Sequence, residues 1–255
     1  MLVPAVARTH DRAQDAPVTS AGRAWTVERF AGPASAFHAR PMPEAVDRRL
    51  WVHEVDRPAL VLGSSQRDDI VDMARATASG VEIVHRRSGG GAVLLVPGEV
   101  LWVDVLLPAD DPLWESDVGR SAWWLGDAWA RALAAVGAAV VHRGPMIRTA
   151  WSALACFAGV GSGEVVVQPA AADGLPAKLV GISQRRTRVG ARFQCALYRH
   201  HDPAALPALL ALDDTDRSML TVALAVGVAT ADLTEVDLLG ALPTRRHHGD
   251  EHRRT

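Results

Sequence analysis

Short apolar runs separated by turn residues fill the middle of the chain, and they predict β-strands. The run Arg49–Val55 alternates apolar and polar residues, as expected for a strand with one buried face. Residues 59–63 are apolar and end in glycine, which is typical of a fully buried strand. Further runs predict strands at residues 81–84, 98–107, 140–142, Val165–Val167, 178–183 and 193–198.

A spacing of three to four residues between apolar side chains predicts helices between and after these strands. The clearest helix is predicted at residues 117–136, where Asp117 can cap the first turn. Its tryptophans, Trp123, Trp124 and Trp129, are expected to pack into the core rather than to form a ligand cage. Further helices are predicted in a short stretch after Pro41 and at residues 68–79, 203–212 and 218–226.

The order of these elements indicates an α+β architecture, a mixed or antiparallel sheet flanked by helices. Residues 1–22 are rich in Ala, Pro, Asp and Arg without a period, and we expect a mobile N-terminal arm. A single domain is predicted over residues 23–242, with a helical C-terminal part at 202–242. Residues 243–255 are expected to form a polar tail.

Composition narrows the functional classes. The formal net charge of the 255 residues is −2, from 27 basic and 29 acidic side chains, so no global nucleic-acid signature is present. No apolar run is long enough to span a bilayer, and the first residues lack a signal-peptide pattern. Two cysteines without metal-ligand spacing predict a cytoplasmic protein with reduced thiols and no tightly bound metal.

One segment carries candidate chemistry: two arginines, a serine and three glycines between apolar runs. Glycines let a backbone approach a ligand closely, and their exposed N–H groups can face an anion. Arginines beside such a turn add charge-assisted contacts to phosphate. A tight hairpin turn with solvated arginines is the alternative for this segment taken alone. Its residues are Arg86, Arg87, Ser88, Gly89, Gly90, Gly91 and Ala92.

A second segment opens with Lys178, the only lysine in a chain that otherwise uses arginine for positive charge. It heads an apolar strand that ends in Ser183 and Gln184 and continues into Arg185 and Arg186. Because arginine supplies the other basic side chains except histidine, a lysine at this one position suggests that a compact ammonium group is needed there. A solvated surface lysine is the alternative.

Taken together, these two segments resemble the lipoate-protein ligase A family. The resemblance covers roughly residues 51–198 and includes the strand, glycine and glutamine of residues 60–66. It implies the catalytic-domain fold that this family shares with octanoyltransferases and biotin-protein ligases. In the family, the glycine-rich loop covers an acyl-adenylate and the second motif carries an essential lysine.

Residue by residue, the resemblance implies that Lys178 contacts the acyl carbonyl and the phosphate. It implies that Arg87, with Arg86 nearby, holds phosphate oxygens, and that Ser183 and Gln184 lie at the rim of the same pocket. The residues expected to bind substrate or nucleotide are Arg86, Arg87, Ser88, Gly89, Gly90, Gly91, Ala92, Ser183 and Gln184.

The chain also departs from the family pattern. Where the family has an aromatic residue, His and Asp after the glycines, this chain has Leu94 and Leu95, then Val96. Where the family commonly has Gln/His-His-Gly after the lysine motif, this chain has Gln194-Cys195-Ala196. A full C-terminal accessory domain is not expected, because only about fifty-five residues follow Tyr198.

Cys156, followed by Phe157 and then by Glu164, resembles a sister group, the cysteine-dependent octanoyltransferases. In that group the cysteine lies upstream of the same lysine motif and forms an acyl-thioester, so Cys156 is a candidate nucleophile. A buried, unreactive cysteine is the alternative.

The leading hypothesis is therefore a ligase that attaches a lipoyl or octanoyl group to a lysine of a lipoyl-domain protein. It would use lipoate or octanoate with ATP and Mg²⁺. The alternatives are a transferase that takes octanoyl from an acyl carrier protein through Cys156, and a catalytically degenerate protein that only binds an acyl-adenylate. No nucleic-acid or membrane partner is expected.

Overall fold

A computed structural model describes residues 24–135, 137, 139–169 and 174–244. The predicted arm at residues 1–22 lies outside the described residues, as does most of the predicted tail. The strands of the described part are β1 Thr26–Gly32, β2 Arg49–Val55, β3 Ala59–Leu62, β4 Glu82–His85, β5 Val93–Leu95, β6 Val100–Pro108, β7 Ala139–Val141, β8 Val165–Val167, β9 Ala177–Arg186 and β10 Gly190–Tyr198. The helices are α1 Ala34–Ala39, α2 Met73–Ala78, α3 Trp123–Ala132, α4 Ala205–Ala208, α5 Asp214–Gly227 and α6 Glu235–Ala241.

Two sheets form the framework. The larger sheet has seven strands in the order β1-β2-β6-β10-β9-β8-β7, and only the β1–β2 pair is parallel. The smaller sheet has the order β4-β3-β5, with β3 parallel to β4 and antiparallel to β5. The predicted α+β class, a mixed sheet flanked by helices, is confirmed.

Alternation along β6 divides the apolar core between the two faces of the large sheet. Val103 and Val105 point to one face, where they share a core cluster with Leu125 and Trp129 of α3. Trp102, with the opposite parity, belongs to a cluster that includes α1 and the small sheet. The space between the two sheets is thus bounded by Trp102 and its neighbours, and the candidate site lies there.

Several predicted boundaries are wrong for local reasons. The helix at 117–136 begins only at Trp123, because the Asp117 carboxylate accepts from Gly119 N at 2.8 Å in a preceding turn. Residues 68–79 contain a 3₁₀ turn and then α2, whose N-terminus is capped by Asp72. The short helix lies before Pro41, as α1, and not after it.

The later predictions differ in length. Of residues 203–212 only α4 is helical, whereas α5 starts four residues earlier than predicted, because the Asp213 side chain caps it through Asp216 N at 2.8 Å. The basic stretch after Gln184 belongs to β9 and the turn into β10, so the two predicted strands there are one long hairpin. The prediction missed β1, and it did not give separate bounds for α6 within the helical C-terminal part predicted at residues 202–242.

Candidate active site

An apolar pocket lies between the two sheets. Its walls come from the small sheet, from the central strands of the large sheet and from the short segment around Cys156. The pocket is lined by His38, Val61, Arg86, Val93, Leu95, Trp102, Cys156, Phe157, Gly181, Ile182, Ser183, Gln194, Cys195 and Ala196. Most of these side chains are apolar, so the pocket suits an aliphatic chain with a polar group at one end.

The glycine-rich loop is packed tightly against this pocket. A Cβ at Gly91 would lie 2.6 Å from the backbone carbon of Ala155, so only glycine allows this approach. Gly90 has a φ of +97°, a left-handed conformation that favours glycine. Gly63, at the end of β3, meets the same loop, because a Cβ there would lie 1.9 Å from Gly90 O.

Arg86 braces this loop from inside. Its buried guanidinium donates to Gly91 O at 2.7 Å, to Gly89 O at 2.9 Å and to Val61 O at 3.2 Å. These bonds join the carbonyls of the loop and of β3 to one buried guanidinium. Arg86 therefore shapes the loop, whereas the neighbouring Arg87 is exposed and lines a second pocket.

Lys178 forms a buried ion pair with Glu164. Its Nζ lies 2.7 Å from Glu164 Oε2, and the two side chains are 2% and 6% exposed. The same ammonium donates to Cys156 O at 2.8 Å and lies 5.3 Å from the centre of the Phe157 ring. Burial alone would lower the pKa of Lys178, but Glu164 raises it above the usual lysine value. Lys178 is thus charged and directly supports two residues of the pocket wall.

Glu164 completes this arrangement through its other contacts. Its carboxylate accepts from Gly161 N at 2.6 Å and from Ile182 N at 3.1 Å. Glu164 therefore links the loop before β8 to β9. Sequence analysis noted Glu164 beside Cys156 but did not include it among the site residues.

The two cysteines occupy different environments. Cys156 lines the pocket and is partly exposed, and it interacts electrostatically with Lys178 and Arg86. Cys195 is fully buried beside α3, and burial raises the pKa of its thiol far above the usual value. Only Cys156 combines access to the pocket with positive charge nearby.

A second, basic pocket adjoins the apolar one. It is lined by His38, Arg40, Met42, Arg87, Ser88, Arg185, Arg192 and Gln194. His38 and Gln194 line both pockets. At the same boundary, Ser88 Oγ donates to Ser183 Oγ at 3.1 Å, so the predicted loop serine and the predicted strand serine meet there. Arginines around a small pocket fit an anionic group such as phosphate.

A buried network positions the wall between the pockets. Asp104 accepts from Trp102 Nε1 at 3.0 Å, from Arg192 Nε at 2.7 Å and from His53, whose Nε2 lies at 2.9 Å. Burial would raise the pKa of Asp104, but His53 and Arg192 together lower it well below the usual carboxyl value. Arg192 also donates to Phe37 O at 2.9 Å, so the network fixes α1 on the large sheet.

The other predicted site residues have separate places. Gln184 is tied to the segment before α3, since its Oε1 accepts from Ser121 Oγ at 2.8 Å and its Nε2 donates to Val118 O at 3.0 Å. Ala92 is buried, and its carbonyl accepts from Cys156 N at 2.9 Å. Gly89 is exposed, and a Cβ added there would meet open space.

Sequence reasoning missed the residues that come from distant parts of the chain, chiefly His38, Arg40, Arg192 and Gln194. The available signal was Asp104, a lone acid in the apolar run of β6, since an acid buried in a strand needs a cationic or polar partner. Asp104 therefore indicates that a buried polar network exists, but it does not indicate which residues pair with it.

Residues 36–229 match the family model of the lipoyl protein ligase A/B catalytic domain, and the chain belongs to this family. No curated protein matches the chain. Its fold is similar to that of a bipartite lipoate protein ligase from Thermoplasma acidophilum, with 16% identity, a TM-score of 0.61 and coverage of 85% of this chain and 79% of the other.

Two further solved structures have the same fold. One is a candidate lipoate protein ligase from Thermoplasma acidophilum with bound lipoic acid, at 18% identity and a TM-score of 0.58, covering 84% of this chain and 79% of the other. The second is a lipoate-protein ligase A bound with ATP, at 17% identity and a TM-score of 0.58, covering 85% and 81%. Among the described residues, no helix is long and apolar enough to cross a membrane, and no group of three or more His, Cys, Asp or Glu side chains could hold a metal ion.

Proposed function

We propose that this protein is a lipoate-protein ligase that forms an acyl-adenylate from lipoate or octanoate and MgATP, with release of pyrophosphate. It then transfers the acyl group to a lysine of a lipoyl domain. The observation that carries this proposal is the meeting of the apolar pocket and the basic pocket at His38 and Gln194. An acyl-adenylate has the same division, an apolar chain joined to a phosphate.

The cations of the basic pocket have different duties in this proposal. Arg87 and Arg185 are exposed, and the described residues provide no acidic partner for either. Arg192 is already engaged by Asp104 and by backbone carbonyls. We therefore assign phosphate binding to Arg87 and Arg185, and a supporting role to Arg192.

Known relatives support the choice of substrates. One protein of this fold was solved with bound lipoic acid and another with ATP, and the structural analysis of the bipartite ligase also covers its E2 lipoyl domain. In the proposed second step the acceptor amine attacks the acyl carbon, a C–N bond forms and the C–O bond to the phosphate breaks. AMP leaves, and the surplus amine proton passes to water. Cationic contacts to the phosphate stabilise the departing group.

A cysteine-dependent transferase is the second candidate, and the position of Cys156 favours it. The thiol lies in the pocket wall with Lys178 and Arg86 nearby. Nucleophilic cysteines occur in such electropositive, accessible settings. In this route the thiolate would attack the octanoyl-carrier thioester, release the carrier thiol and pass the acyl group to the acceptor amine.

The deciding experiment is the intact mass of a purified lipoyl domain after incubation with the protein. One reaction contains octanoate with MgATP, and the other contains octanoyl-carrier protein without ATP. We expect the octanoyl mass gain in the first reaction, and we expect C156S to retain it, with H85Q as a surface control. A gain confined to the second reaction and lost in C156S would overturn the ligase in favour of the transferase.

Absence of a mass gain in both reactions would reject both enzyme functions for these donors and this acceptor. The third hypothesis, a protein that binds an acyl-adenylate without turnover, would then be tested by calorimetry. Its ligand would be a non-hydrolysable octanoyl-sulfamoyl adenosine.

A further inference from the structure

His38 occupies the boundary between the two pockets. It lies in the last turn of α1, and its ring stacks on Trp102 with centroids 4.7 Å apart and planes 29° apart. The Asp104–Arg192 network holds this part of the chain, because Arg192 donates to Phe37 O and to Arg40 O, on either side of His38. His38 is therefore fixed at the place where the chain and the phosphate of an acyl-adenylate would join.

The contact with Gln194 determines which ring nitrogen carries the proton. Gln194 Nε2 lies 3.3 Å from His38 Nδ1. An amide nitrogen can only donate, so Nδ1 accepts and the proton of a neutral imidazole is on Nε2. Burial lowers the pKa of His38 to about 3, and the ring is consequently neutral near pH 7.

His38 Nε2 is buried and has no hydrogen-bond partner among the described residues. A buried donor without a partner is unfavourable, and such groups in binding sites are often satisfied by the ligand. At the same junction Ser88 Oγ donates to Ser183 Oγ, so the Ser183 hydroxyl proton is a further donor there. Unlike that hydroxyl, the His38 N–H is held on a ring fixed by Trp102 and is buried without a hydrogen-bond partner among the described residues.

We propose that His38 donates a hydrogen bond from Nε2 to the carbonyl oxygen of the bound acyl group. This inference rests on the proposed function. When the acceptor amine attacks the acyl carbon, the carbonyl electrons move onto that oxygen, and they return when the bond to the phosphate breaks. A neutral N–H fixed beside the oxygen stabilises this developing charge more than it stabilises the ground state.

The test uses two variants of the same position. H38F keeps an aromatic ring on Trp102 but removes the donor, and H38Q restores an N–H on a side chain of similar reach. Transfer from preformed octanoyl-adenylate to the lipoyl domain is measured in single turnover. We expect the H38F rate to fall on the order of 10²-fold, as for the loss of one oxyanion donor, and H38Q to recover part of it.

A second readout does not require activity. Binding of octanoyl-sulfamoyl adenosine is compared with binding of its octyl analogue, which lacks the carbonyl. The wild-type protein should prefer the carbonyl compound by about fivefold to tenfold, the effect of one hydrogen bond, and H38F should lose that preference. H85Q, at an exposed histidine paired with Asp68, is the control for both readouts.

The outcomes separate the two proposals. If the wild-type protein transfers no acyl group, the proposed function fails, and the carbonyl preference alone decides the role of His38. Equal binding of both analogues by the wild-type protein, or unchanged transfer by folded H38F, would overturn the inference.

Discussion

Two buried ion pairs in this protein have similar chemistry and different surroundings. Arg48–Asp111 is bidentate, with distances of 2.8 Å and side chains 1% and 0% exposed, and Arg48 also donates to Thr244 O at 2.7 Å. Lys178–Glu164 is as deeply buried but supports Cys156 and Phe157 in the pocket wall. The first pair ties distant chain segments together, and the second ties a site to its framework. Burial of a charge alone therefore does not identify a functional residue.

The largest expected effect on activity comes from K178M. This change removes the ammonium beneath Cys156 and leaves the Glu164 carboxylate without its cation. We expect transfer activity to fall on the order of 10³-fold, since the pocket wall at Cys156 and Phe157 loses both its support and the fixed cation behind it. Activity is measured by the mass assay, and unfolding by urea titration.

The double variant K178M/E164Q sharpens this prediction. Removing the orphaned charge should recover much of the stability that K178M loses, while activity stays low. Recovery of activity together with stability would contradict a site-specific role for Lys178.

The Arg48–Asp111 pair should behave in the opposite way. R48M leaves the Asp111 carboxylate buried without its cation, and we expect a loss of about 3–5 kcal/mol in unfolding free energy. The kcat/KM of the folded protein should stay near the wild-type value, because Arg48 contacts neither pocket. Urea denaturation and steady-state kinetics below the unfolding transition test this. A large fall in the kcat of R48M without a fall in its stability would contradict a purely structural role for the Arg48–Asp111 pair.

Acid sensitivity provides a third test, since neither ion pair contains a histidine. Burial lowers the pKa of His38 to about 3, whereas it is near 6.5 in an unfolded chain. The unfolded state therefore binds more protons between these values, and stability falls as the pH drops below about 6.5. For each such histidine the slope approaches about 1.4 kcal/mol per pH unit.

H38F should flatten that slope, relative to the wild-type protein, by about one histidine's contribution. Urea titrations between pH 7.5 and pH 5 make the comparison, because about 1.5 pH units of this range lie below the unfolded-state pKa. An unchanged slope in H38F would mean that His38 is not held neutral by burial.

The smallest expected effect on activity concerns two neighbouring arginines. One of them is held by contacts within the protein, and the other is free to meet a partner. Arg186 donates to Glu115 O at 2.7 Å and packs 4.1 Å from the Trp114 ring centre, whereas Arg188 is exposed in the turn between β9 and β10. An acidic lipoyl domain would meet Arg188. R188E should raise the acceptor KM by about threefold to tenfold, in a salt-dependent way, with kcat unchanged. An unchanged KM at low salt would place the acceptor elsewhere.

The sequence predicted what depends on local pattern. Most strands and the glycine-rich loop follow from apolar runs and from glycines, and both could be placed to within a few residues. Asp117 misled the prediction of α3, because an aspartate can close a turn as well as cap a helix. The choice between these two uses depends on the packing of the whole segment.

The site depended on contacts that no local pattern contains. Asp104 and Arg192 are 88 positions apart, and Gln194 and His38 are 156 apart, so the boundary between the pockets is created only by folding. Arg86 and Arg87 are adjacent and equally basic in sequence. In the structure Arg86 donates to the backbone of the glycine-rich loop, whereas Arg87 lines the basic pocket. Their roles in catalysis stay predictions until the variants are measured.

The most direct test of the central claim is octanoate-dependent exchange of pyrophosphate into ATP, measured without an acceptor. Exchange requires that the two-part pocket forms an acyl-adenylate reversibly, and it does not depend on the identity of the lipoyl domain. We predict exchange in the wild-type protein and in C156S, and weaker exchange in R87E. Absence of exchange, together with acylation of the lipoyl domain from octanoyl-carrier protein that is lost in C156S, would contradict the adenylate route in favour of the Cys156 transferase.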